Sequence, residues 1–200
     1  MPAVVQPFDG VTSFPQRAYL DTSYLLHLRS FPAEPDRAIY KSSKTFFDNM
    51  VRNDVDMCTS ILAIQECFYI IIYKTGISED MRHFKTADGK PFQNIPDFKK
   101  QIPKEFKKSF RKHFPKTFLF LQFLHNLGVK ILYPKEYITP GMSSKSKRIT
   151  HYAYGLLNRY ELEPMDAFHI SVAKCMGMDY IVSNDRGFKQ VDNITLFIYK

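Results

Sequence analysis

Cysteine and glycine are both scarce in this 200-residue chain, at three and eight residues. Cys58, Cys67 and Cys175 are too few and too scattered for a disulfide framework or a zinc knuckle, and they read as buried free thiols. No glycine-rich loop follows the first apolar segment, which excludes a dinucleotide-binding turn. No unbroken apolar run approaches the roughly 18 residues of a membrane helix. The N-terminus also lacks a charged-then-apolar signal pattern. These absences predict a cytoplasmic protein with no membrane partner. There is no internal repeat. What is present, a 44% hydrophobic composition, suffices for a buried core in one domain.

The net charge of +8 is confined to one segment. Between Met81 and Thr117 eleven lysines and arginines stand against three acids, while the rest of the chain carries 17 of each sign. Clustered cations neutralise phosphates, so this segment points to an anionic partner, with a solvated basic helix as the alternative. Lys104, Lys107, Lys108, Arg111 and Lys112 are its densest part. Phe84, Phe92, Phe98, Phe106, Phe110 and Phe114 are interleaved with the lysines. Rings so placed can stack unpaired bases, although most of them are expected in the core.

Residues 1–16 hold three prolines and no helical period, and read as an extended N-terminal arm. From residue 17 to 200, short apolar strands alternate with helices. The strands are expected at Arg17–Leu20, Val55–Thr59, Val129–Tyr133, Tyr180–Val182 and Ile194–Tyr199. Helices are expected from Tyr24, over Asp36–Asn53, from Ile61 to a stop at Gly76, over Lys104–Leu127 with a break at Pro115, over Arg148–Tyr160, and after Pro164. Ile77–Pro103 is expected to be irregular, within a basic insertion at about 77–116, and Thr139–Lys147 to be a loop. The pattern predicts an α/β fold: a central parallel sheet of about five short strands flanked by helices.

In open parallel sheets, ligands bind beyond the carboxyl ends of the strands. Asp21 follows the first strand and Asp185 the fourth, while Asp166 opens the helix leading into the fourth. Glu66 interrupts an otherwise apolar helix, where a lone carboxylate is costly unless it is paired, protonated or metal-bound. Each acid also has a plainer reading: Asp21 and Asp166 as helix N-terminal residues, Asp185 as a turn former, Glu66 as a lysine partner. Four carboxylates on one edge repel one another, and a hard divalent cation such as Mg2+ or Mn2+ relieves that. His169, three residues after Asp166, reads as a packed histidine that can approach the site; His27 reads as structural.

Leu20-Asp21-Thr22-Ser23-Tyr24-Leu25-Leu26, Glu66 in its long helix, Met165-Asp166-Ala167 and Ile181-Val182-Ser183-Asn184-Asp185-Arg186-Gly187-Phe188 resemble the PIN-domain nucleases. In size and motif order the likeness is to the VapC-type toxins. The resemblance implies that Asp21, Glu66, Asp166 and Asp185 form an acidic quartet holding Mg2+ or Mn2+. It also implies that Ser183 fills a slot often held by threonine or serine, with Ser23 supporting the first acid. The activity implied is metal-dependent hydrolysis of RNA, with single-stranded or loop regions as the expected substrate and no one acid assigned as general base. A homodimer and, for a toxin, a small antitoxin protein are implied partners. The arm and the basic insertion exceed a minimal VapC-type chain. A catalytically silent RNA-binding or assembly module on the same fold is the alternative.

Overall fold

Short apolar segments become the strands. The computed structural model describes residues 2–30, 33–132 and 143–199, with residues 143–148 by backbone alone. Strands β1 (Val4–Pro7), β2 (Arg17–Leu20), β3 (Asp56–Ser60), β4 (Lys130–Leu132), β5 (Tyr180–Val182) and β6 (Thr195–Ile198) form one sheet. Its order is β1-β6-β5-β2-β3-β4, and every pairing is parallel. The fold is α/β, with helices flanking the sheet. From β2 the chain steps outward to β3 and β4, then returns to the other side of β2 for β5 and β6. The β2–β5 junction is therefore the switch point of the sheet, where parallel folds open a crevice at the strands' carboxyl ends.

The sixth strand comes from the N-terminal arm. Val4–Pro7 pairs with Thr195–Ile198, and the Val4 amide donates to the Ile194 carbonyl at 3.0 Å. A proline is tolerated there because β1 is an edge strand. Phe8, just beyond it, stacks on Phe46 at 4.5 Å between ring centroids. Tyr24 and Phe197 complete that aromatic cluster. Four residues with two outward valines carry too little apolar pattern to read as a strand.

The chain divides into two compact units, Met1–Ile64 with Gly128–Lys200, and Gln65–Leu127. In the first unit, α1 (Thr22–Ser30) and α2 (Ala38–Arg52) follow β2, while α8 (Ser143–Tyr160) and α9 (Pro164–Cys175) precede β5. Ala153, Leu156, Ile170 and Ala173 of α8 and α9 pack with Tyr19, Ile181 and Leu196 of the strands. Ser143–Lys147, expected as loop, are helical; Tyr133 and Thr139–Met142 lie outside the described residues.

The second unit holds most of α3 (Ile61–Tyr69), a π-helix (Ile70–Ile77), α4 (Ser78–Met81), α5 (Ile95–Gln101), α6 (Pro103–His113) and α7 (Pro115–Asn126). It is wider than the insertion expected at 77–116. The supposedly irregular stretch contains α4 and α5, the latter capped by Asn94, whose side chain accepts from the Asp97 amide at 2.9 Å. Ile72, Ile77, Met81, Phe92, Phe98 and Phe106 form its core. The helix broken at Pro115 is as expected.

Gly76 does not end its helix. Thr75 Oγ1 donates to the carbonyls of Ile70 and Ile71, at 3.2 and 3.0 Å, in the widened turn. Ile61–Met81 thus runs as 21 helical residues, long and apolar enough by length and composition to cross a membrane, although 39% of its most apolar window is buried. Counting unbroken apolar residues missed this because polar residues punctuate the helix. A core helix of a folded domain passes the same test.

Gly76 is needed for packing instead. A β-carbon there would sit 2.6 Å from Cγ of the buried His113 ring, whose Nε2 lies 2.9 Å from Asp80 Oδ2. We expect Gly76→Ala to destabilise the chain by about 1–3 kcal/mol, as overpacking does. A melting temperature lowered by several degrees would register it; an unchanged one would mean His113 gives way freely.

Candidate active site

Asp21 is the residue that follows β2, and its amide donates to the Val182 carbonyl of β5 at 3.0 Å. The hydrogen bond places Asp21 at the switch point. Its carbonyl accepts from the Leu25 amide at 3.0 Å, so it is also the N-cap of α1. The residue is only 5% exposed. A buried carboxylate needs donors, and Oδ2 collects three. The Ser23 hydroxyl and the Ser183 hydroxyl each lie at 2.8 Å, and the Ser23 amide at 3.3 Å. With Oδ2 filled, Oδ1 is left 3.9 Å from His169 Nε2.

Ser183 ties Asp21 to Asp185. It is fully buried after β5, and its oxygen accepts from the Asp185 amide at 3.0 Å. Ser23 makes a parallel link by accepting from the Asn184 amide at 2.9 Å. Both serines therefore hydrogen-bond the first acid, Ser23 in the place the resemblance gave it and Ser183 in a contact it did not specify. Asp185 is exposed, and its Oδ1 accepts from the Gly187 amide at 2.7 Å, capping the 3-10 turn Arg186–Gln190. The plain turn-forming role is thus real and uses one oxygen only.

Asp166 enters from the first turn of α9. Among the described residues no donor is hydrogen-bonded to it. Its carboxyl is pushed up to about 7, by burial first, then by the charges of Asp185 and Asp21, against a lowering by His169. Gly187 explains why Asp166 and Asp185 keep space between them. A β-carbon on Gly187 would stand 3.1 Å from Asp185 Oδ1 and 3.7 Å from Asp166 Oδ2. The glycine leaves open a cradle bordered by two carboxylates.

Sequence reasoning missed a buried relay behind the acids. His169 is 1% exposed; its Nδ1 lies 2.8 Å from the Tyr19 hydroxyl, which lies 2.8 Å from the Ser60 hydroxyl. The packed-histidine reading of His169 and its approach to Asp21 are thus both observed. Asn184 was also missed. Its amide nitrogen lies 2.7 Å from His27 Nδ1, and its oxygen accepts from the Tyr199 amide at 3.2 Å. Burial, then the nearby Arg37 charge, lowers the His27 pKa, which suits a neutral ring accepting at Nδ1. No sequence spacing announces these links, because each joins residues far apart in the chain.

Three of the four predicted acids are brought to one strand edge. Glu66 lies on α3 within the second unit, partly buried. The aspartates supply hard oxygen donors of the kind Mg2+ or Mn2+ prefers. Asp166 offers a carboxylate with no donor among the described residues, facing the Gly187 cradle, so the donor chemistry fits such a cation. Among the described residues, however, no three His, Cys, Asp or Glu side chains stand close enough to form a ready metal centre.

The predicted RNA-binding residues Lys104, Lys107, Lys108, Arg111 and Lys112 are all exposed on α6. Lys112 pairs with Asp80 at 2.7 Å and Lys108 with Glu105 at 3.9 Å. Burial acts to raise the Asp80 pKa, but hydrogen bonds from Lys112, Ser109 and His113 prevail and hold it well below the usual range. Of the six interleaved phenylalanines, Phe92, Phe98 and Phe106 are buried, Phe84 and Phe110 partly so, and Phe114 is exposed.

Residues 143–194 match the model of the PIN domain family. The matched stretch is about a quarter of the chain and contains Asp166, Ser183 and Asp185. It supports a place in the PIN-domain family. Members of that family are generally nucleases, although some are inactive. No curated protein matches the chain.

The raised pKa of Asp166 sets a pH signature. Because the folded state holds this proton more tightly than the unfolded chain, stability falls as pH rises from about 4 to about 7. In chelator, Asp166→Asn should therefore gain about 1–2 kcal/mol over the parent at pH 8, a figure discounted for solvent screening. Near pH 4 the gain should vanish. Melting curves at both pH values decide it; a gain independent of pH would show that Asp166 titrates normally.

Proposed function

We propose that this chain is a Mg2+- or Mn2+-dependent endoribonuclease. The observation that carries the reading is the convergence of Asp21, Asp166 and Asp185, from three separate segments, on the switch point of an all-parallel sheet. The PIN-domain match over residues 143–194 supports it. In this reading Asp21, Asp166 and Asp185 of the first unit hold the cation, and Glu66 is the fourth acid by the resemblance alone. The cation, when bound, supplies Lewis acidity to a water and to the scissile phosphate.

The chain's own residues do the positioning. Ser23 and Ser183 fix Asp21 by filling Oδ2, leaving Oδ1 to face a ligand. Asp185 spends Oδ1 on its own turn and keeps Oδ2. Asp166 offers its whole carboxylate. Gly187 keeps the space between Asp166 and Asp185 clear, and His169, locked by Tyr19, holds the far side of Asp21. The cations of α6 add phosphate contacts to RNA. A toxin role, with a homodimer and a small inhibiting antitoxin, belongs to the same proposal. Growth arrest on expression that Asp21→Asn relieves would support the toxin role.

A silent RNA-binding module is favoured by one observation, the lack of a ready metal centre among the described residues. Cleavage of total RNA with and without Mg2+ separates the two. We expect Mg2+-stimulated cleavage that Asp21→Asn or Asp185→Asn reduces to background. Ser183→Ala should lower it about 10–100-fold, as loss of a ligand's hydrogen-bonding support does. Cleavage persisting unchanged in Asp21→Asn would refute the site. RNA binding without cleavage by the parent would establish the silent module.

A further inference from the structure

Five aromatic rings of the second unit form a continuous ladder, and the acidic site uses none of them. Tyr69 stacks on Tyr73 with centroids 5.2 Å apart. Tyr73 meets Phe110 edge to face at 6.4 Å. Phe110 stacks on Phe114, and Phe114 meets Phe118 edge to face, both at 5.6 Å. The middle of the ladder is anchored, because Tyr73 and Phe110 pack against the unit's core. Its ends stand in water: Tyr69 is 52% exposed, Phe114 42% and Phe118 58%. Leu119 beside Phe118 is exposed as well. Single exposed rings are ordinary, whereas a connected row of them marks a surface that meets something.

The cations of α6 are sorted relative to this row. Lys107 precedes Phe110 by three residues and Arg111 precedes Phe114 by three, so the ridge of charge runs beside the ridge of rings. Lys104 extends that ridge by a further turn. Among the described residues no carboxylate pairs with Lys104, Lys107 or Arg111. Lys108 and Lys112, turned further round the helix, are the two that carry acid partners, Glu105 and Asp80. Positive charge is thus left uncompensated on the flank that borders the rings. Phe114 is itself helical, and its amide donates to the Phe110 carbonyl at 2.8 Å. The row therefore passes from α6 to α7 despite Pro115.

Rings with open π faces beside a line of uncompensated cations match a single-stranded nucleic acid, whose unpaired bases stack while its backbone is neutralised. A duplex hides its base faces, and a purely apolar partner would gain nothing from the flanking charge. We propose that this face of the second unit binds single-stranded RNA. Tyr69, Phe114 and Phe118 stack unpaired bases, and Lys104, Lys107 and Arg111 hold phosphates. The choice of RNA rests on the endoribonuclease reading; the stacking surface itself does not. The expectation that most of the interleaved phenylalanines belong to the core is met. Phe92, Phe98 and Phe106 are core, and Tyr69 and Phe118 lie outside the interleaved set.

Binding is measured on the full chain carrying Asp21→Asn, in chelator, with a fluorescein-labelled oligouridylate and an RNA duplex of equal length. Failure of cleavage in the parent then leaves this test standing, and failure here leaves the cleavage test standing. The single strand should bind more tightly than the duplex. Phe114→Ala with Phe118→Ala should weaken oligouridylate binding roughly 10- to 100-fold, with little change in salt dependence. Lys107→Gln with Arg111→Gln should instead flatten the slope of log affinity against log salt by about 1.4. Phe114→Leu with Phe118→Leu keeps apolar bulk and tests stacking where the alanine variant fails to fold; it too should lose binding. Unchanged affinity in a folded ring variant overturns the proposal. So does a parent dimer, seen by sedimentation, that the ring variants split while RNA binding is retained, since the face would then be an interface between copies.

Discussion

The buried carboxylate of Asp21 is the constraint on which the site depends. An ionised carboxylate loses several kcal/mol of hydration on burial, and is kept only where donors replace water. Those donors come from both sides of the switch point: Ser23 from the helix that β2 launches, Ser183 from the end of β5. The parallel pairing of β2 with β5 is what brings Ser183 within reach. A register slip of one residue between these strands would turn Ser183 to the other face and orphan the carboxylate. Sheet register and site geometry are therefore one requirement. The Ser23 bridge to the Asn184 amide and the Ser183 bridge to the Asp185 amide carry it into the following loop.

Much of this was legible in the sequence because it is local. Short apolar runs such as Arg17–Leu20 and Ile194–Tyr199 read as buried parallel strands. An acid directly after such a run lands at the strand's carboxyl end by chain geometry alone. What escaped depends on contacts distant in sequence. Val4–Pro7 is a strand only because β6 offers an unpaired edge and Phe8 finds Phe46. The helix past Gly76 continues because Thr75 supplies a hydroxyl and His113 fills the space a side chain would need. Glycine as a helix stop is a local rule, and here packing between helices prevails over it. The sorting of lysines on α6 was hidden for a related reason. Composition counts every cation alike, whereas Asp80 and Glu105 select which two are matched.

The two units divide the chemistry by charge. The excess positive charge found between Met81 and Thr117 falls wholly within the second unit, and the three aspartates fall wholly within the first. Under the proposed function, the lysines and arginines serve a polyanion, and the aspartates serve a cation whose charge offsets theirs. The acids alone would repel a phosphate such as the proposed substrate carries.

Asp166 shows how stability and function oppose each other in this fold. Asp21 is satisfied by three donors and Asp185 by one, but Asp166 has none among the described residues and stands in the field of the other two. A fold selected for stability alone would give α9 an asparagine there, or place a serine against it as it does against Asp21. Keeping the carboxylate half-buried and unmatched costs folding free energy whenever it ionises. Gly187 adds to this, since a larger residue would crowd both neighbouring carboxylates and close the space between them. That cost is relieved by protonation, which the raised pKa records, or by a ligand carrying positive charge. The unmade bond of Asp166 therefore weighs more in the proposal of a cation than the made bonds of Asp21, because made bonds also serve structure.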